Sequence, residues 1–216
     1  MRFDDARAAG RALAAALEAY RGREDAVVLA LARGGVGVGA EVARLLGLPL
    51  DLVLLRRLLA PRGPREPDCV VSAAGATFLD EGLAAAAAGA PDPALRHFLN
   101  DVLSLFDSQV RACRGGRPAL NLAGRTVLLV DNGVRTGSTM LAAARGVRSR
   151  SPARLVAAAP VADAAASAEV AAAVGEFVCL ATPEPFGHVG LWYRDFGRPS
   201  DDEIRAALDE RTKAGG

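Results

Sequence analysis

A strand that ends in an acid, passes through a glycine loop and reopens as a helix restricts this chain more than any other feature. Thr126 to Val130 is aliphatic or β-branched at every position, the pattern of a strand buried on both faces. Asp131 closes it. Asn132, Gly133, Val134 and Arg135 follow, then Thr136, Gly137, Ser138 and Thr139, and an alanine-rich segment from Met140 to Arg148 reads as a helix. In such a turn the loop amides converge, the helix dipole adds partial positive charge, and the three hydroxyls add donors. The pattern predicts an anion site. No Gly-Lys-Ser/Thr closes the loop, so it is not the Walker pattern.

The rest of the chain supplies strands and helices in alternation. Ala26 to Leu31, Pro49 to Leu55, Arg154 to Ala159 and Phe177 to Ala181 read as further strands. Helices are expected over residues 4–21, 36–46, 92–113 and 162–174, with a last one capped by Ser200 and favoured by Asp201, Asp202 and Glu203 in its first turn. Residues 4–21 place Ala8, Leu13, Ala16, Leu17 and Tyr20 on one face. This spacing predicts an α/β fold with a doubly wound, mainly parallel sheet. The 216 residues suffice for one such domain, 1–216, with a small flap.

Composition narrows the partners. The formal net charge is +1, which gives no broad basic surface for nucleic acid. Met1-Arg2-Phe3-Asp4-Asp5 is too charged to read as a signal peptide, and Pro160, Asp163 and Glu169 interrupt the longest apolar run, so no membrane span is expected. Cys69, Cys113 and Cys179 are widely spaced and read as free thiols in a reducing cytoplasm. His97, beside the apolar stripe of the 92–113 helix, has no second ligand at metal spacing and reads as structural.

Two readings compete after the first strand. Gly35 to Ala40 fits a loose dinucleotide fingerprint, but the next strand carries its acid, Asp51, at the start and Arg56-Arg57 at the end. The arrangement suits pyrophosphate better: Gly34 and Gly35 permit close backbone approach, and Arg33 supplies a forked cation. Residues 58–75, rich in proline, glycine and arginine, read either as a mobile flap or as a solvated linker. In residues 182–199, Phe186, Trp192, Tyr193 and Phe196 gather in a Pro/Gly-rich loop. It forms either a hood that stacks on a flat ring or a plug over the sheet edge.

Asp131 with Thr136-Gly137-Ser138-Thr139 resembles the phosphoribosyl pyrophosphate (PRPP) signature of the type I phosphoribosyltransferases. Arg33-Gly34-Gly35, Pro49-Leu50-Asp51 and Trp192-Tyr193-Arg194-Asp195-Phe196 extend the likeness to bacterial stand-alone members over nearly the whole chain. The resemblance implies Mg²⁺, a homodimer, and displacement of pyrophosphate from PRPP by a small nitrogenous acceptor. It puts the 5′-phosphate on residues 135–139, a ribose hydroxyl and the metal on Asp131, and pyrophosphate on Arg33, Gly34, Gly35, Arg56 and Arg57. Trp192 and Phe186 then stack on the base and Asp195 reads its edge. Two departures stand out. Asn132 replaces the second acid of the signature, which leaves open a PRPP- or nucleotide-binding protein with weak or no catalysis. Arg135 stands where 6-oxopurine salvage enzymes hold an aspartate beside the base; an arginine cannot be a base at neutral pH, so hypoxanthine and guanine are not the expected acceptors. It either receives an anionic acceptor or points to solvent.

Overall fold

The computed structural model describes residues 1–32, 34–58, 68–73, 76–79, 93–197 and 199–212. Its strands are β1 (Ala26–Ala32), β2 (Leu50–Leu58), β3 (Asp68–Ala73), β4 (Ala76–Leu79), β5 (Thr126–Val130), β6 (Arg154–Val161) and β7 (Phe177–Ala181). They form one sheet in the order β4-β3-β2-β1-β5-β6-β7. The five strands from β2 to β7 are parallel, and β3 and β4 add an antiparallel hairpin at the β2 edge. The helices are α1 (Ala6–Ala16), α2 (Val36–Leu46), α3 (Pro93–Arg114), α4 (Ser138–Arg148), α5 (Ala164–Val174) and α6 (Asp201–Thr212).

Alternation along the strands fills two cores. Val28, Ala30, Leu128 and Val130 point to the layer of α1, α2 and α6, where they meet Leu13, Val42 and Ile204. Val27, Leu29, Val127 and Leu129 point the other way, to Met140 and Ala143 of α4 and Val170 of α5. Both faces of β1 and β5 are therefore covered, which explains why neither strand carries a charged residue. Each buried leucine or valine in these layers contributes about 1.5–3 kcal/mol.

Several boundaries differ from expectation. The first helix stops at Ala16, which is exposed, and a 3-10 turn over Glu18–Tyr20 brings Leu17 and Tyr20 back into the core. β2 runs past Leu55 through both arginines, because the hairpin strand β3 pairs with it: Arg56 lies opposite Val70 and Arg57 opposite Cys69. α4 begins at Ser138, two residues before the apolar run. β4 was not signalled by the sequence. His97 is exposed, 3.5 Å from Asp101, and does not pack in the core. At α6 the expected cap is a reciprocal box: the Glu203 amide donates to Ser200 Oγ at 3.2 Å, and the Ser200 amide donates to Glu203 Oε2 at 2.7 Å. The central part of the expected flap, residues 59–67, lies outside the described residues.

Asp51, which counted against a dinucleotide site, has a structural role at the start of β2. Its carboxylate, 3% exposed, accepts hydrogen bonds from Arg114 Nη1 at 2.9 Å, from the Leu120 amide at 3.0 Å and from the Leu52 amide at 2.8 Å. This pins the end of α3 to the sheet. No helix among the described residues is long and apolar enough to cross a membrane.

Candidate functional site

In a doubly wound sheet, ligands gather outside the carboxyl ends of the strands where the winding reverses. Here that point lies between β1 and β5: the chain leaves β1 toward β2 on one side and β5 toward β6 on the other. The loop of Gly34 and Gly35 and the turn of residues 131–139 face each other across it. Their contact is close. A Cβ on Gly35 would stand 2.7 Å from the Val130 carbonyl oxygen and 2.9 Å from Asp131 Cα. One on Gly34 would stand 2.7 Å from Asn132 Nδ2. The glycines thus serve approach between the two loops.

Asp131 sits one residue past β5. Its amide stays on the ladder, donating to the Ala158 carbonyl at 3.1 Å, and its Oδ1 accepts the Asn132 amide at 2.8 Å. Burial at the strand end lifts its carboxyl from the usual 3.8 to about 7, and the amide hydrogen bond offsets this only in part. The chain is anchored again at Val134, whose amide donates to Val161 O at 2.9 Å and whose carbonyl accepts from the Asp163 amide at 2.8 Å. Gly137 then takes a left-handed conformation, φ 75°, as the cap of α4, and so turns the chain into the helix without a capping side chain. The Thr136 and Ser138 hydroxyls lie 3.0 Å apart beside it. Asp131, Gly133, Arg135, Thr136, Gly137 and Thr139 line a cavity of about 190 Å³ at the head of α4. A helix start on an open cavity is suited to a phosphate.

The C-terminal loop reaches this cavity through a residue to which the sequence assigned no role. Val189, at the start of a 3-10 turn (Val189–Trp192), lines the same cavity and lies against Gly133. Trp192 is half-buried; its Nε1 donates to the Phe186 carbonyl at 3.1 Å, and the two rings stack 6.2 Å apart. Phe186 itself is only 5% exposed and belongs to the core under the tryptophan, so the stacking expected of it on a base gives way to stacking within the loop. Asp195 is exposed and lines a separate cavity of about 510 Å³ with residues of α1, α2 and α6. Its amide donates to the Asp4 carbonyl at 2.9 Å. That pairing with the N-terminal segment is why it does not join the cavity of Asp131. Tyr193, which carried no assigned role, is buried, and its hydroxyl donates to the Asn132 carbonyl at 2.6 Å. Its signals in the sequence were its place among clustered aromatics and within the block Trp192-Tyr193-Arg194-Asp195-Phe196.

Arg33 lies outside the described residues. Arg56 and Arg57 are described as backbone positions of β2 only. Among the described residues no group of three or more His, Cys, Asp or Glu side chains is placed to hold a metal ion.

The sequence model of the phosphoribosyl transferase domain matches residues 3–181. A Mycobacterium tuberculosis protein provisionally named a phosphoribosyl transferase is 38% identical over 212 residues, which are 96% of this chain and 46% of that protein. The chain therefore spans about half the length of the curated relatives it matches. A solved Thermus thermophilus protein is 39% identical, with a TM-score of 0.80 over 97% of this chain and 99% of that one. A Neisseria gonorrhoeae protein solved with bound ppGpp shares the fold at 13% identity, with a TM-score of 0.52 over 97% and 98% of the two chains.

Proposed function

Because the chain belongs to the phosphoribosyl transferase domain family, we propose that it transfers a 5-phosphoribosyl group from PRPP to a nitrogen of a small heterocyclic acceptor, releasing pyrophosphate. The observation that carries this reading is the cavity at the head of α4, which Asp131 lines together with Arg135, Thr136, Gly137 and Thr139. Its size suits a ribose phosphate more than a whole nucleotide. The 5′-phosphate would rest on residues 135–139 and the ribose hydroxyls on Asp131. Gly34, Gly35, Arg33, Arg56 and Arg57 are proposed to face the pyrophosphate across the crevice.

In the reaction the bond from C1 to the pyrophosphate oxygen breaks as a bond from C1 to the acceptor nitrogen forms, and that nitrogen loses its proton to solvent. Positive charge grows on the sugar ring in between. An ionised Asp131 beside the ribose would favour that charge, and arginines at the pyrophosphate would favour its departure. With one carboxylate, Asp131, as its proposed protein ligand, the donor set fits Mg²⁺, which keeps waters and substrate oxygens in its shell. Bound there it would neutralise the leaving pyrophosphate. The base is proposed to lie near Val189 and Trp192, and Arg135 to meet an anionic acceptor or the phosphate. A cytoplasmic homodimer completes the proposal.

Asn132 favours a second reading. A neutral amide against Gly34 removes one negative charge near the reacting carbon, as in a PRPP- or nucleotide-binding protein with little catalysis. Purified protein with PRPP and Mg²⁺, tested by calorimetry and then by pyrophosphate release with a panel of bases, decides between them. Binding with turnover supports transfer; binding without turnover supports the second reading. No PRPP binding overturns both, and brisk use of hypoxanthine or guanine overturns the assignment of Arg135.

A further inference from the structure

Between its anchors at Asp131 and Val134, the turn crosses Asn132 and Gly133 as a short arch. The C-terminal loop touches that arch at two points. Val189 sits on Gly133, where an added Cβ would come within 2.6 Å of Val189 Cγ1. The Tyr193 hydroxyl donates to the Asn132 carbonyl at 2.6 Å. Tyr193 is itself held in place. Its ring packs between Phe3, at 5.8 Å, and Phe196, at 5.3 Å. The backbone around it is stitched to the N-terminal segment: the Phe3 amide donates to Trp192 O at 2.8 Å, the Arg194 amide to Phe3 O at 2.9 Å, and Arg2 Nη2 to Tyr193 O at 3.2 Å.

We propose that Tyr193 is a positioning residue for phosphoribosyl transfer: its hydroxyl fixes the Asn132–Gly133 peptide and so sets the carboxylate of Asp131 and the amide of Asn132 at the ribose. A peptide carbonyl held by a buried phenol cannot rotate without leaving the buried hydroxyl unpaired, which opposes any swing of the arch. The phosphate loop beyond Val134 has its own anchors on β6 and α5 and does not depend on this bond. The hydroxyl therefore acts on the chemical step more than on phosphate binding. The inference rests on the transferase reading above.

The test compares Tyr193→Phe, which removes the hydroxyl and keeps the ring, with Phe3→Leu, which loosens the packing and keeps the hydroxyl. Turnover is expressed per PRPP-binding site counted by calorimetry, so misfolded protein does not enter the rate. Tyr193→Phe is expected to lower kcat about tenfold, the worth of one hydrogen bond of about 1.4 kcal/mol. Its Kd for PRPP should stay within about twofold and its Tm within a few degrees, while amide exchange at residues 132 and 133 speeds up. Phe3→Leu is expected to lower Tm with kcat per site nearly kept. A Tyr193→Phe protein that turns over at the wild-type rate, or whose loss is matched by Phe3→Leu at equal Tm, overturns the inference and leaves the transferase reading standing. A wild-type protein that binds no PRPP or releases no pyrophosphate overturns both.

Discussion

Asp131 offers a direct measurement of what the site costs the fold. In the folded chain its carboxyl titrates at about 7 against an ordinary 3.8, so between those values the folded state holds a proton that the unfolded state has released. By linkage the stability associated with this group is fully present below pH 3.8, declines as pH rises, and is gone above 7. Carried from pH 5 to pH 8, the shift amounts to about 2.6 kcal/mol at 1.36 kcal/mol per unit. Asp131 is half-buried on an open cavity, and water there reduces the effect to about 1–2 kcal/mol. Asp131→Asn keeps an oxygen for the Asn132 amide and does not titrate. Urea denaturation of both proteins at pH 5, 6, 7 and 8 with a chelator present isolates the contribution of Asp131, because every other titrating group is common to the pair. The variant is expected to gain about 1–2 kcal/mol on the wild type between pH 5 and pH 8, and to lose pyrophosphate release. A constant gap, or one that favours the wild type as pH rises, would show that the carboxylate is already paid for by its surroundings.

Asn132→Asp restores a second negative charge at the arch and is expected to raise kcat by about 1–3 kcal/mol of transition-state stabilisation in a pyrophosphate-release assay. Gly35→Ala drives a methyl group to within 2.7 Å of the Val130 carbonyl oxygen and 2.8 Å of that of Leu31. It should cost about 1–3 kcal/mol by denaturant titration, as overpacking against backbone does. Arg114→Met leaves Asp51 buried without its cation, and a loss of about 3–5 kcal/mol is expected in the same assay. Arg135→Ala, at an exposed position, should leave Tm unchanged. If the guanidinium meets the phosphate, Kd for PRPP in calorimetry rises about tenfold, the worth of one charge-assisted hydrogen bond.

β1 and β5 were legible because burial on both faces leaves no charged position, and the bounds of β5, β7 and α2 fall where the sequence placed them. The turn after β5 was legible for the same reason, since Asp131 is the first charge after the run and Gly137 the residue that tolerates φ 75°. β4 escaped notice because an edge hairpin needs little periodicity. The C-terminal loop was less legible because aromatic residues carry the same signal whether they face a ligand or a core. Phe186 went to the core, Trp192 bonded to its carbonyl, and Tyr193 turned its hydroxyl to the arch. Asp195 drew a role from its neighbours in sequence, but the bridge between Phe3 and Tyr193 carries it toward α1. No local pattern encodes a contact between residues 190 positions apart.

The packing of Gly34 on Asn132 bears on how such a protein could be re-engineered. The two positions occupy one shared volume although they lie 98 positions apart in the chain. A bulkier side chain at 34 calls for a smaller one at 132, and a graft of either loop from a relative has to import its counterpart. Libraries that randomise the two sites jointly will hold folded members that single-site libraries miss.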